Sequence, residues 1–528
     1  MTTAAAPIPL DYGRTRGHNP WLIAVTVTLA TFMEVLDTSI ANVALPHIAG
    51  SLSATEDEAT WVLTSYLVSN AIVLPLSAWL SEIFGRKRFY MSCVALFTAC
   101  SFLCGLAPNL GLLVFFRVLQ GLGGGGLQPS EQAILADTFP PRKRGMAFAV
   151  YGFAVVAAPA IGPTLGGWIT DNMSWRWIFY INIPVGILSL FMTYHLVHDP
   201  PSFSADQRRL ERRGFHVDFT GLGLIAVGLG ALQIVLDKGQ RDDWFGSDFI
   251  TWMSVIASVA LVAAIIWEWW FAKFPIVDLH LFKDRNFTIA SLILFMIGLV
   301  LFSSTVLLPL MLQTLFGYTA LDAGIVLSPG AVIIMLAMPI VGFLLQFVEP
   351  RWLIVFALLV CSTGLFLMSG FTTQTDMKTF ILYRCVQAGA LGFLFVPVNT
   401  AMYAYIPPGK NNNASALVNL ARNIGGSVGI SLITTFQQRR EQFHQNRLVS
   451  HLTPYSPAYR HAVEMFTQLF GGLGHRPQAM IYRRLQQQAG MLAYIDCFYV
   501  LAIAFLLVVP FVLLMKRITP GKAAMAGH

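Results

Sequence analysis

The chain has 528 residues, of which 55% are hydrophobic and only 12% are charged, with a formal net charge of +7. Soluble domains are about one quarter charged, so this composition excludes an ordinary water-soluble fold and favours a chain embedded in a bilayer. The basic residues stand in short clusters between apolar segments, which is typical of topology signals and argues against a nucleic-acid partner.

In chain order, apolar stretches of about 20 residues recur, each long enough to cross a hydrocarbon layer of about 30 Å. They predict fourteen spans, near 21–46, 60–80, 90–107, 110–135, 145–169, 176–197, 219–237, 249–271, 287–312, 322–347, 352–371, 379–405, 413–435 and 491–515. The first is too long for a secretory signal and contains two acidic residues, so we expect it to be retained. The sequence therefore predicts an all-α polytopic membrane protein.

The loops between the spans predict the orientation. With a cytoplasmic N-terminus, the inside segments hold 20 basic residues and the short outside loops hold four. The positive-inside rule then places both termini in the cytoplasm. The polar stretch 437–490 falls outside although it carries seven arginines, but long loops respond weakly to charge. We expect this stretch to be partly helical, at Gln478–Gln488, and it is either a surface for a protein partner or a solvated loop with no partner.

Two parts of the chain resemble each other. Arg117–Gly121 recurs as Arg384–Ala388. Three further segments, which begin at Asn42, Pro75 and Pro140, also recur in the same order at nearly the same offset. The repeat indicates two six-helix halves with substrate between them near the midplane, plus an inserted helix pair. The predicted organisation is a cytoplasmic tail (1–20), an N-terminal half (21–198), a cytoplasmic linker (199–218), the inserted pair (219–271), a C-terminal half (272–515) with a long outer loop (437–490), and a second cytoplasmic tail (516–528).

Asp37 and Arg117 are ionisable residues inside predicted spans, where a charge costs at least about 2.5 kcal/mol and so requires a reason. Asp37 lies roughly 24 Å from the inner end of the first span, and Arg117 roughly 10 Å below the outer end of the fourth. Their similar depth predicts that they pair. A carboxylate beside an arginine can bind and release a proton as the pair breaks and forms. A fixed structural ion pair is the alternative.

Glu34 shares one face of the first helix with Asp37, because the two are three residues apart. Glu131 follows a proline in the fourth span, where it either faces a cavity for cationic substrates or accepts local hydrogen bonds. The role of Glu34 is open in the same way: it either faces the cavity or accepts local hydrogen bonds. The candidate residues of a substrate cavity are Glu131, Gln128, Arg384 and Asn42.

Two glycine-rich segments follow in the fourth and fifth spans. The run Gly121–Gly126 contains the spacing of a dinucleotide fingerprint but lies in mid-span, which favours close helix packing. The fifth span carries Pro159, Gly162, Pro163, Gly166 and Gly167. Prolines bend a helix and small residues permit close approach, so this span is either a moving interface between the halves or a fixed kinked helix.

Cysteine usage and phosphate motifs limit the possible chemistry. The six cysteines lie within or beside apolar segments without a paired framework, so we expect no disulfide and no metal site. No GxxxxGK[ST] sequence occurs, which argues against ATP as an energy source. We expect no cofactor.

These motifs resemble the fourteen-helix drug/proton antiporters of the major facilitator superfamily, the EmrB/QacA type. Leu36–Pro46 resembles their first-helix signature, whose acid is implicated in proton coupling, and Arg117–Gly121 is similar to their proton-transfer motif. Pro159–Gly167 resembles the fifth-helix antiporter motif. Ala78–Lys87 is similar to the gating loop of the superfamily, with Ala78 and Glu82 in place of the usual Gly and Asp.

The resemblance implies a proton-coupled exporter of hydrophobic or amphipathic compounds that works by alternating access. Asp37 would carry the proton with Arg117 and Glu34 beside it, and the prolines and glycines of the fifth span would permit rocking. The cytoplasmic gating loop would comprise Glu82, Gly85, Arg86 and Lys87.

Three stretches, 174–179, 232–237 and 275–286, are most similar to the EmrB branch. That branch implies an inner-membrane pump that works with a periplasmic membrane-fusion adaptor and an outer-membrane channel. The alternative is an exporter of one metabolite or fatty acid. A nutrient symporter should lack the fifth-helix motif, and an enzyme should gather His, Ser or metal ligands at one membrane face. We therefore expect a transporter and no enzyme.

Overall fold

The computed structural model describes residues 19–198, 218–272, 275–407, 410–453, 455–469 and 476–517. The regular structure in these ranges is helical, and fourteen helices are long and apolar enough to cross a membrane, which confirms the predicted fold class. In chain order they are α1 (Pro20–Ser51), α2 (Trp61–Phe84), α3 (Arg86–Leu106), α4 (Leu110–Thr138), α5 (Lys143–Asn172), α6 (Trp177–Leu196), α7 (Phe219–Lys238), α8 (Asp248–Phe271), α9 (Arg285–Phe316), α10 (Asp322–Leu344), α11 (Pro350–Met368), α12 (Met377–Met402), α13 (Asn411–Val449) and α14 (Gln478–Leu513).

Polar caps begin several of these helices. The side chain of Asn19 accepts a hydrogen bond from the Trp21 amide at 3.0 Å, and that of Asn109 accepts from the Leu112 amide at 2.9 Å. The first turn of a helix leaves amide groups without intrahelical acceptors, and lipid cannot satisfy them. The caps therefore define where α1 and α4 begin.

Helices α1–α6 form one half and α9–α14 form the other. α5 packs along α10, and α2 and the end of α4 pack against α13, so these helices form the interface between the halves. α7 lies against α2 and α13, while α8 contacts α7 and exposes apolar side chains such as Trp252 and Val259. The additional pair is therefore peripheral to the two six-helix halves.

The two ends of the bundle differ in sequence. We call the end that carries the turns at 84–86, 139–143 and 403–407 the basic end, because Arg86, Lys87, Arg88, Lys143 and Arg144 lie there. The other end is the distal end.

The segment 437–490, predicted as an outer loop that is helical near 478–488, is helical over more of its length. α13 continues to Val449, α14 begins at Gln478, and a separate helix, Pro457–Leu469, lies between them. Gln, Arg and Glu are good helix formers that remain solvated beyond the hydrocarbon, so both helices extend outside the apolar span. The predicted tails (1–20 and 516–528) and linker (199–218) lie outside the described residues except at their edges.

Candidate functional site

Asp37 lies at the centre of a buried polar cluster in the N-terminal half. Its Oδ2 accepts from Arg117 Nη1 at 2.5 Å, and its Oδ1 accepts from Gln120 Nε2 at 3.1 Å and from Asn182 Nδ2 at 2.7 Å. The side chains of Asp37 and Arg117 are 1% and 0% exposed. The predicted contact between the first and fourth spans is therefore present, and Asn182 adds α6 to it.

The guanidinium of Arg117 is held on several sides. Its Nε donates to the carbonyl oxygen of Val62 at 3.0 Å, its Nη1 also donates to Gln120 Oε1 at 2.9 Å, and it lies 4.3 Å from the ring centre of Tyr66. A buried cation requires a compensating charge, and Asp37 supplies it. A carboxylate can either pair with an arginine or bind a proton, so this cluster has the parts of a protonation switch.

Glu34 belongs to a second cluster, which crosses between the halves. Its carboxylate accepts from Asn70 Nδ2 at 3.1 Å and from Gln128 Nε2 at 2.9 Å. Gln128 Oε1 accepts in turn from Arg422 Nη2 in α13 and from the hydroxyl of Tyr151 at 3.2 Å. One amide side chain thus connects an acid of α1 to a cation of the opposite half.

Glu131 is fully buried in α4. Its Oε1 accepts from the hydroxyl of Thr28 at 2.6 Å, while Oε2 has no hydrogen-bond partner among the described residues. Of the two interpretations of Glu131, the structure therefore shows the local hydrogen bond. A cavity role for Glu131 stays a prediction.

The proline pair of α5 creates a contact with α1. Pro163 has no amide hydrogen, so it cannot bond to the carbonyl of Pro159 one turn earlier. The hydroxyl of Ser39 lies 3.5 Å from that carbonyl oxygen and donates to it. α5 is thereby joined to α1 two residues after Asp37.

The glycines of the same motif differ in their surroundings. A Cβ on Gly162 would lie 2.3 Å from Ser39 Oγ, and one on Gly166 would lie 3.0 Å from Ile40 Cγ2, so both glycines permit close approach of α1. At Gly167 no atom lies within 4 Å of the corresponding position. Two of the three predicted glycines thus face the α1 contact, and their role in motion stays a prediction.

The predicted gating loop lies at the basic end. Gly85 has a φ of 86°, which a glycine adopts without strain and which turns the chain between α2 and α3. Arg86 pairs with Asp137 of α4, and Lys87 Nζ donates to the carbonyl oxygen of Tyr194 at 2.6 Å. Glu82 Oε1 accepts from Asn413 Nδ2 at 3.2 Å. The loop therefore connects helices within its own half and reaches α13 of the other.

Three consecutive asparagines at the start of α13 make parallel contacts across the halves. Asn411 Nδ2 donates to Asp137 Oδ1 at 2.5 Å and Asn412 Nδ2 to Ser81 Oγ at 2.7 Å, beside the Asn413 bond to Glu82. We call Asn411–Asn413 the asparagine latch. It joins the two halves at the basic end of the bundle.

Arg384 and Asn42 lie apart from these clusters. Arg384 Nη1 donates to Ser304 Oγ at 3.2 Å and also to Gln387 Oε1, all within the C-terminal half. Asn42 is exposed on α1 near the distal end. The four cavity candidates are therefore not brought together in this conformation, and within the described residues Gln128 is the one of them that has hydrogen bonds to both halves.

A cavity of about 710 Å³ lies at the distal end between α9, α13 and α14. Its lining includes Gln437, Glu441, Arg483 and Gln487. Leu310, Leu315 and Met480 also line it, so the cavity is mixed in polarity.

Several site residues were missed from the sequence, including Asn182, Tyr151, Asp137, Arg422 as a bridge between halves, and the asparagine latch. Their polar character inside apolar spans was the available signal. For the uncharged residues it was weak because they cost little in a span and are common there. Asp137 is charged but lies at the end of α4, and the place of Arg422 opposite Gln128 depends on how the halves dock.

The sequence profile described as Major Facilitator Superfamily matches residues 27–430. The fatty acid resistance protein FarB of Neisseria gonorrhoeae is 36% identical over 520 residues, covering 98% of this chain and 100% of that relative. The multidrug export proteins EmrB of Haemophilus influenzae and of Escherichia coli strain K12 are 37% and 36% identical, covering 92% and 94% of this chain and 93% and 95% of their own length.

Two solved structures share the fold. A double-tryptophan mutant of XylE aligns with a TM-score of 0.61 at 14% identity, covering 96% of this chain and 97% of that chain. The human organic anion transporter MFSD10 aligns with a TM-score of 0.60 at 13% identity, covering 94% of this chain and 100% of that chain.

Proposed function

The chain belongs to the major facilitator superfamily of membrane transporters, and from this premise we propose that it exports hydrophobic and amphipathic compounds in exchange for protons. The observation that carries the proposal is the buried contact of Asp37 with Arg117 at 2.5 Å. Proton binding at Asp37 removes the charge that holds Arg117 Nη1. Arg117 then keeps its bonds to Val62 and Gln120, and α1 loses its ionic contact with α4, which lets it move.

The movement of α1 has a path to the other half. α1 contacts α5 through Ser39 and Gly162, and α5 packs along α10. A second path runs from Glu34 through Gln128 to Arg422. A change of protonation in α1 thereby acts on the interface between the halves, which is what alternating access requires.

The basic end faces the cytoplasm in this proposal, following the positive-inside rule. The asparagine latch then closes the cytoplasmic side in this conformation. The protein would lie in the inner membrane, with the extensions of α13 and α14 on the periplasmic side. These extensions would contact a periplasmic membrane-fusion adaptor that continues to an outer-membrane channel.

The function is tested by efflux from proteoliposomes that hold the purified protein under an imposed pH gradient. With one proton exchanged per electroneutral cycle, a gradient of about one pH unit supports up to about tenfold accumulation of a compound. We expect accumulation of a lipophilic cation such as ethidium, and its loss when a protonophore removes the gradient. A protein that only equilibrates the compound would contradict the proposal.

A second candidate function is export of one fatty acid or metabolite. Similarity to FarB over almost the full length of both chains favours it as much as similarity to EmrB favours multidrug export. A panel of compounds that differ in charge and shape separates the two, because a specific exporter should accumulate one class alone.

Removing two bonds of the latch is expected to open the basic end. The double variant Asn412→Ala/Asn413→Ala loses hydrogen bonds to Ser81 and Glu82, worth about 1 kcal/mol each. The ratio of the two conformations should shift roughly thirtyfold toward the one that is open at the basic end.

Spin labels at Arg88→Cys and Phe347→Cys, both exposed at the basic end in different halves, report this shift as a longer distance in a cysteine-free background. The control is Asn172→Ala, because among the described residues the Asn172 amide bonds within its own helix, to Trp168. An unchanged distance distribution in the double variant would show that the latch does not hold the halves.

A further inference from the structure

The charged cluster of the N-terminal half has a counterpart in the C-terminal half with one residue changed. Arg384 and Gln387 repeat Arg117 and Gln120, and Ser304 stands at the same offset from Asp37 along the chain. Ser304 Oγ bonds to Arg384 Nη1 at 3.2 Å and to Gln387 Nε2 at 3.0 Å. These are the contacts that Asp37 makes with Arg117 and Gln120, so a hydroxyl stands where the other half has a carboxylate.

The charge of Arg384 is therefore left uncompensated. Its side chain is only 6% exposed, and in the described part of the chain its Nε has no hydrogen-bond partner and no ion pair involves it. An unpaired charge inside a membrane bundle is costly, so such residues are usually balanced by another charge or by a ligand. The hydroxyl and amide groups around Arg384 are neutral.

The surroundings of Arg384 leave part of the guanidinium available. The contact of Nη2 with Thr305 Oγ1 is long, at 3.4 Å, and only partly buried. The neighbouring helix α10 approaches the stem of this side chain at Gly330, where a Cβ would lie 3.3 Å from Arg384 Cγ, so this contact involves the aliphatic part of the arginine. Arginine presents its donors in a planar fork that matches a carboxylate.

We propose that Arg384, with Ser304, Thr305 and Gln387, binds the carboxylate head group of an amphipathic anion that this protein transports. The inference rests on the proposed export function and names one substrate class for it. The bound carboxylate supplies the negative charge that Asp37 supplies in the N-terminal half, and it accepts from the guanidinium. The two halves then use the same arginine–glutamine pair for different purposes, for a proton in one and for a substrate in the other.

The test is binding of laurate to the purified protein in lipid nanodiscs, with sodium chloride and dodecanol as comparison ligands. Wild type should bind laurate more tightly than dodecanol. Arg384→Gln removes the cation, and Ser304→Asp supplies an internal carboxylate that competes for it, so each should weaken laurate binding at least tenfold. The control Arg440→Gln removes an arginine of the α13 extension, which pairs with Asp496, and should leave laurate affinity unchanged.

The two variants should weaken binding by different routes, since one removes the cation and the other adds a carboxylate that pairs with it, so if one fails to fold the other decides. If both variants bind laurate with the affinity of wild type, the inference is overturned. It is also overturned if wild type binds dodecanol more tightly than laurate. Binding of chloride with none of laurate would assign the site to an inorganic ion and also overturn it. Ethidium efflux by wild type under a pH gradient is measured in parallel. If wild type does not export ethidium, the proposed function is contradicted. If wild type exports ethidium but laurate binding does not depend on Arg384, only the inference is contradicted.

Discussion

Replacing Asp37 by Asn is expected to abolish uphill export. Asparagine preserves the shape of the side chain and can still bond to Gln120 and Asn182, but it cannot take up or release a proton. The initial rate of gradient-driven efflux should fall by about a hundredfold or more, equivalent to about 2.8 kcal/mol or more. The measurement is efflux from proteoliposomes at matched protein content, with Asp171→Asn as the control because Asp171 is exposed near the end of α5.

The contact of Asp37 with Arg117 is either a structural ion pair or a proton-coupling site, and the two interpretations predict different results for a second variant. Asp37→Asn alone leaves the buried Arg117 without its counter-charge, which costs about 3–5 kcal/mol, so its unfolding midpoint should also fall. The double variant Asp37→Asn/Arg117→Gln removes both charges and should recover most of that stability. If Asp37 couples protons, export stays lost in the double variant. If export returned with stability, the contact would be structural and the coupling role would be wrong.

Adding one methyl group at Gly123 is expected to destabilise the N-terminal half. A Cβ there would lie 2.8 Å from the amide nitrogen of Phe97 and 2.9 Å from the carbonyl oxygen of Cys93. Both are backbone atoms of α3, so they cannot rotate away, and α3 and α4 must separate. Gly123→Ala should cost about 1–3 kcal/mol, measured as a lower unfolding midpoint of the purified protein.

The matched control is Gly223→Ala in α7, where no atom lies within 4 Å of the added Cβ. Alanine is favoured over glycine within a helix by about 0.8–1.0 kcal/mol, so this variant should be as stable as wild type or more stable. Equal midpoints for Gly123→Ala and wild type would mean that the glycine run of α4 does not permit close packing.

The contact of Asp37 with Arg117 could be predicted because helix rise converts sequence position into depth, and two opposite charges at one depth are driven together. The close packing of the Gly121–Gly126 run followed from similar reasoning about position. A Cβ on Gly121 would lie 2.5 Å from the carbonyl oxygen of Tyr66, which confirms that interpretation. Depth and residue type are both properties of a single helix, so the sequence carries them directly.

The bridge from Gln128 to Arg422 could not be predicted in this way. It depends on how the two halves dock in one conformation, and the sequence repeat relates the halves without fixing their relative tilt. The same holds for the asparagine latch. The length of α13 was missed for a different reason, since a search for apolar spans ends where the residues become polar although the helix continues to Val449.

The exchange of protons for substrate is tested most directly by applying a substrate gradient without a pH gradient and measuring proton movement. Proteoliposomes are prepared with equal pH on both sides and a pH-sensitive dye inside, and ethidium is then added outside. The account predicts that protons leave the vesicles as ethidium enters, and that the flow reverses when the ethidium gradient is reversed. Entry of ethidium with no proton movement, or with protons moving in the same direction, would contradict it.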